Sequence, residues 1–121
     1  MLRKLTLDDV TVHLEVEQDW IPIRGNASAI DPETDRATED WIMAELDRGN
    51  VWAWASVHVW VEWQGITGHD YLGACSYHDE NDFRQGYYYD DMVQVALDNL
   101  NAEIASMNEK IQELVLDNSS V

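Results

Sequence analysis

The sequence predicts an α+β fold: a three-stranded, mainly antiparallel sheet with two helices on one face, in the order β-α-β-β-α. Three observations predict it. Residues 10–16 alternate strictly between apolar and polar side chains. A helix-start signal, Asp31-Pro32-Glu33, follows. From about Tyr88 the apolar period changes from two to alternating steps of four and three. The length of 121 residues fits a single domain covering the whole chain.

In the first strand Val10, Val12, Leu14 and Val16 point one way, and Thr11, His13, Glu15 and Glu17 the other. Pro22 breaks the ladder, and Arg24-Gly25-Asn26-Ala27-Ser28 reads as a loop. Asp31 suits a helix N-cap, Pro32 the first helical position, and Glu33 and Asp35 the positive dipole end. This helix runs to about Arg48 and stops at Gly49-Asn50. Ala37, Trp41 and Ala44, with Ile42 and Leu46, form its expected buried stripe.

Residues 51–63 read as a long strand. Its odd positions are small or branched and face the helices, while Trp52, Trp54, His58 and Trp60 take the other face. Residues 64–70 read as the hairpin connection, 71–77 as the return strand and 78–86 as a polar, acidic loop. The last helix is expected over about 88–117, extending beyond the sheet and leaving a short polar tail.

Charge is the strongest functional signal. The chain has 24 Asp and Glu against 7 Lys and Arg, a formal charge of −17. Seventeen phosphates correspond to roughly 29 Å of duplex DNA. Such a chain repels nucleic acid and anionic membranes and attracts basic surfaces. The expected partner is a basic nucleic-acid-binding host protein or ribonucleoprotein, with no direct nucleic acid and no membrane contact. The carboxylates chosen for that role are Glu15, Glu17, Asp31, Glu33, Asp35, Glu39 and Asp40, then Asp79, Glu80, Asp82, Asp90 and Asp91. The competing reading is a solvated acidic surface that serves solubility alone.

Trp52, Trp54 and Trp60 on one sheet face would make an apolar patch of the kind that marks an interface. The alternative is that the Trp20 loop, the Tyr87-Tyr88-Tyr89 segment or the last helix covers that face. On the last helix, Val93, Leu97, Leu100, Ile104, Met107, Ile111 and Leu114 form a heptad seam. Leu100, Ile104, Met107, Ile111 and Leu114 are the candidates for a homodimer contact; the alternative is a helix laid along the sheet.

Catalytic and metal signals are weak. His13, His58, His69 and His78 have no recognised ligand spacing. Cys75 is the single cysteine and reads as a small core residue. There is no nucleophile elbow and no phosphate-binding glycine loop. No cofactor and no enzymatic activity are expected. No signal peptide is evident, and the apolar stretch 51–61 is too short to span a bilayer as a helix. The expected location is the bacterial host cytosol.

Arg24-Gly25-Asn26-Ala27, Gly49-Asn50-Val51-Trp52-Ala53-Trp54 and Asp70-Tyr71-Leu72-Gly73-Ala74-Cys75-Ser76-Tyr77 resemble small proteins encoded by bacteriophages and other mobile elements. The resemblance covers about residues 20–100 and implies a phage setting. Phages make short acidic proteins that disarm host defence, including anti-restriction and anti-CRISPR proteins, several of which look like DNA to their targets. By analogy, the expectation is an inhibitor acting by DNA mimicry. The alternative is a homodimeric interaction or structural phage protein.

Overall fold

The computed structural model describes residues 2–119, with side chains through residue 116. The chain is α+β. Its elements are β1 (Thr11–Gln18), α1 (Pro32–Asp47), β2 (Ala55–Trp63), β3 (Ile66–Cys75), α2 (Glu80–Gln85) and α3 (Tyr87–Ser119). The sheet order is β1-β2-β3. Along β1 and β2 the residue numbers run in opposite senses: His13 meets Trp60, and Asp19 meets Trp54. The pairing is therefore antiparallel, as it must also be across the short β2–β3 hairpin.

Four local expectations are corrected. First, β2 begins at Ala55, not at residue 51. The Asn50 side chain accepts from the Trp52 amide and starts a 3-10 turn over Val51–Ala53. That turn folds Trp52 and Trp54 inward, where they are 8% and 1% exposed. Second, the hairpin connection is only Gln64-Gly65, at φ 52° and 80°. Two successive positive φ values match the twist of a right-handed hairpin, so the β-branched Ile66 and Thr67 are already in the strand. Third, the expected loop after β3 contains α2. Asp79 caps it by accepting from the Asp82 amide at 2.8 Å, and Phe83 is fully buried. Fourth, Ala37 and Ala44 on α1 are exposed and Glu39 is buried, while Ile42 is buried as expected.

The contacts divide the chain into two compact units. The first draws on the segment up to His13, on Val59–Asp70 and on the chain from Met92 onward. Leu5, Val61, Ala96, Leu97 and Leu100 form its core, with Val10, Trp63, Ile66 and Ile104 packed against it. The side chain of Asn101 clamps the Leu5 backbone, accepting its N–H at 2.9 Å and donating to its carbonyl at 3.1 Å. Gly68 permits β3 to touch α3: a Cβ there would overlap the Ala96 carbonyl and the Leu100 backbone.

The second unit comprises Leu14–His58 and Tyr71–Asp91. Ile42, Ala53 and Trp54 form one core, supported by Ile23, Ala27, Trp41, Leu46 and Ala74. Phe83 centres an aromatic group, with Trp52, Tyr77 and Tyr89 at ring distances of 5.2, 5.1 and 5.9 Å. Burying that phenyl ring contributes about 2 kcal/mol.

At 33 residues α3 is about 50 Å long. Its expected end near 117 is passed, and the remainder of the expected polar tail, Ser120 and Val121, lies outside the described residues. Among the described residues no helix is long and apolar enough to cross a membrane.

Candidate functional site

The charged surface begins with the pairing of the few cations. Each of the five arginines lies against a carboxylate of its own chain. Arg3 reaches Asp9 at 2.8 Å, Arg48 reaches Glu45 at 2.8 Å and Arg84 reaches Glu80 at 2.9 Å. Arg36 lies 3.9 Å from Asp40. Arg24 forks between two acids, donating to Glu39 at 2.8 Å and to Asp40 at 2.9 Å. Glu39 also accepts the Gly25 amide at 2.8 Å. These donors hold the Glu39 carboxyl below its ordinary range, with the Arg24 hydrogen bond the largest cause.

The sequence-selected acids therefore divide by what they touch. Asp31 accepts the Thr34 amide at 2.8 Å and caps α1, and this bond holds its carboxyl low. Asp35 accepts the Ile30 amide at 3.1 Å. Asp79 caps α2, and Asp82 accepts the His78 amide at 2.9 Å. Glu39, Asp40 and Glu80 sit in arginine pairs. Glu17, Glu33 and Asp90 are exposed and stand outside these pairs. Asp91 faces the Tyr87 hydroxyl at 3.5 Å. Fixed geometry is common to the capping and paired acids, but Glu39 is buried and presents no charge to a partner.

The expected three-tryptophan face is not formed. Trp52 and Trp54 are core residues, and the Trp54 indole N–H donates to the Ile21 carbonyl at 2.8 Å. Trp60 is half-buried in the first unit, stacked near-parallel on His13 at 4.9 Å, with His69 at 6.4 Å. Glu62 lies 3.6 Å from the His13 imidazole. In the second unit His58 stacks on Tyr71 at 4.4 Å, and its Nδ1 is 3.7 Å from Glu15. Among the described residues no three His, Cys, Asp or Glu side chains cluster as a metal site would require.

Of the dimer candidates, Leu100 is fully buried in the first unit's core and is withdrawn as a contact. Ile104 is half-buried, while Met107, Ile111 and Leu114 are exposed at 39%, 53% and 64%. The same seam thus passes from core to surface along α3. Leu2, Ile66, Ile104, Met107 and Ile111 line an apolar groove beside it.

Trp20 is the residue that sequence reasoning missed. It is 83% exposed, whereas the other five tryptophans are buried or half-buried. The available signal was Asp19, whose carboxylate suits an Asx-type turn two residues ahead of its own position, just before Pro22. That turn forms: Asp19 accepts the Ile21 amide at 2.8 Å.

Comparison of the chain with protein-family models, with curated proteins and with solved structures gave no match.

Proposed function

We propose that this chain is a phage-type inhibitor. It binds the basic nucleic-acid-binding surface of a host defence complex, a CRISPR effector or a restriction enzyme, and places carboxylates where DNA places phosphates. The observation that carries the reading is the engagement of all five arginines with carboxylates of the same chain. The arginine charge is engaged within the chain, and an acidic excess of 17 remains after all seven cations are counted. A basic groove gains from such a surface; nucleic acid does not. The reading assigns the protein to the host cytosol with no cofactor and no catalytic step.

The test is a pull-down from bacterial lysate at low salt, eluted by a salt gradient and then challenged with duplex DNA. The expected result is a basic DNA- or RNA-binding defence protein, released by moderate salt and displaced by DNA. A partner that resists both treatments would overturn the mimicry.

The exposed end of the α3 seam favours a second reading, a homodimer joined through Ile104, Met107, Ile111 and Leu114. Here acidity would serve solubility. Sedimentation velocity separates the two: a dimer that Ile111→Asp dissociates supports the second reading, and a wild-type monomer at all concentrations removes it.

A further inference from the structure

We propose that Trp20 is the aromatic anchor of the partner interface and that it receives an arginine side chain of the basic surface, with Glu17 as the companion carboxylate. This rests on the function proposed above and names the contact through which it works. Three hydrogen bonds brace the tip that carries Trp20. The Asp19 amide donates to the Trp54 carbonyl at 2.9 Å. The Ile21 amide donates to Asp19 at 2.8 Å, and the Trp54 indole donates to the Ile21 carbonyl at 2.8 Å. The residues on either side of Trp20 are therefore tied to the buried Trp54, while the Trp20 ring stands in water.

An exposed indole on a braced backbone is prepared for an interface, because little ordering cost remains to be met on binding. Tryptophan is also among the side chains most enriched at interface hot spots. The surroundings select the occupant. Glu17 and Asp19 line a shallow depression beside the ring, with Ser56 and Pro22. Asp19 spends both oxygens on backbone amides, whereas Glu17 is exposed. A guanidinium can lie flat on the indole and still pair with a carboxylate at its edge. An ammonium has no plane to stack, so arginine is the better fit. Nucleobases would also stack on an indole, but the charge of −17 opposes their phosphates.

The probes are nona-arginine and nona-lysine peptides, titrated against the full chain and against Trp20→Ala and Trp20→Phe over a salt series. Because the ring is exposed, Trp20→Ala should melt at the wild-type temperature, which is checked first. The expected result is a wild type that prefers nona-arginine, a Trp20→Ala variant about tenfold weaker toward it, and an arginine preference lost in Trp20→Ala and partly kept in Trp20→Phe. The salt slope should be the same for all three. If Trp20→Ala keeps both the affinity and the preference while the steep salt slope stands, the anchor is overturned and the mimicry survives. If the wild type binds neither peptide at low salt, both fall together.

Discussion

The Asp19 carboxylate accepts the Ala74 amide at 2.7 Å, and Ala74 sits at φ 50°. The left-handed region costs a non-glycine residue roughly 1–2 kcal/mol. β3 is an edge strand of the sheet. Asp19 supplies the acceptor for this N–H from a position fixed by the hydrogen bond of its own amide to the Trp54 carbonyl. The neighbouring Gly73 leaves room, since a Cβ there would stand 3.2 Å from the carboxylate. Asp19→Ala would leave the Ala74 and Ile21 amides without this acceptor. A loss of about 2 kcal/mol in urea unfolding is expected. A loss within a few tenths would mean that water serves these amides equally well.

Two glycines should respond to alanine for different reasons and by different amounts. Gly65 has open space around it but a φ of 80°, so Gly65→Ala meets only backbone strain, about 1–2 kcal/mol. At Gly68 an added Cβ would strike the α3 backbone at Ala96 and Leu100. Backbone cannot swing aside as a flexible side chain can, so Gly68→Ala should cost about 3 kcal/mol. Denaturant midpoints of the two variants check the ranking. The reverse order would mean that α3 can withdraw from β3 at little cost.

Periodicity made the long elements legible. The alternation of Val10 to Val16 and the α3 heptads rest on many positions, the α1 start rests on the agreement of Asp31, Pro32, Glu33 and Asp35, and each element is present. Features decided by one or two side chains were not legible. Asn50 caps a 3-10 turn that takes Trp52 and Trp54 out of the sheet, because a turn breaks the period-two count on which a shared face depends. The charge of Glu39 places it on the surface in the sequence, yet Arg24 and Gly25 supply enough donors to bury it. Phe83 lay in a stretch of acids and polar residues, and a lone aromatic carries no period. For the site, the charge excess was visible, but which acids cap helices and which face outward depended on the fold. The exposure of Trp20 depended on it too.

Cys75 should behave as an inert thiol. Burial pushes its pKa up to about 11, and the Sγ donates to the Ala55 carbonyl at 3.3 Å. At mildly alkaline pH the thiolate fraction is then on the order of a hundredfold below that of an ordinary cysteine. Iodoacetamide labelling followed by mass spectrometry should be slow for the native chain and fast in denaturant. Rapid native labelling would show that the end of β3 opens readily.

The Arg24–Glu39 pair should give stability a definite pH dependence. Glu39 is held below its ordinary value, chiefly by the Arg24 hydrogen bond and then by the Gly25 amide. Its folded form therefore takes up a proton less readily than the unfolded chain does. The contribution is fully present above the unfolded glutamate value, about 4.3, and is lost as pH falls through the lower folded value. Global acid unfolding of so acidic a chain mixes this with the relief of self-repulsion, so the informative quantity is a difference. Glu39→Gln keeps the shape and one acceptor but removes the charge that Arg24 pairs with. At neutral pH the variant should melt several degrees below wild type, because Asp40 is then the one charged partner left to Arg24. The gap should close as the pH is lowered past the glutamate range, since wild-type Glu39 then becomes neutral as well. Calorimetric melts of the two proteins across that range decide the matter. A gap that stays constant with pH would show that Glu39 acts by shape and hydrogen bonding rather than by charge.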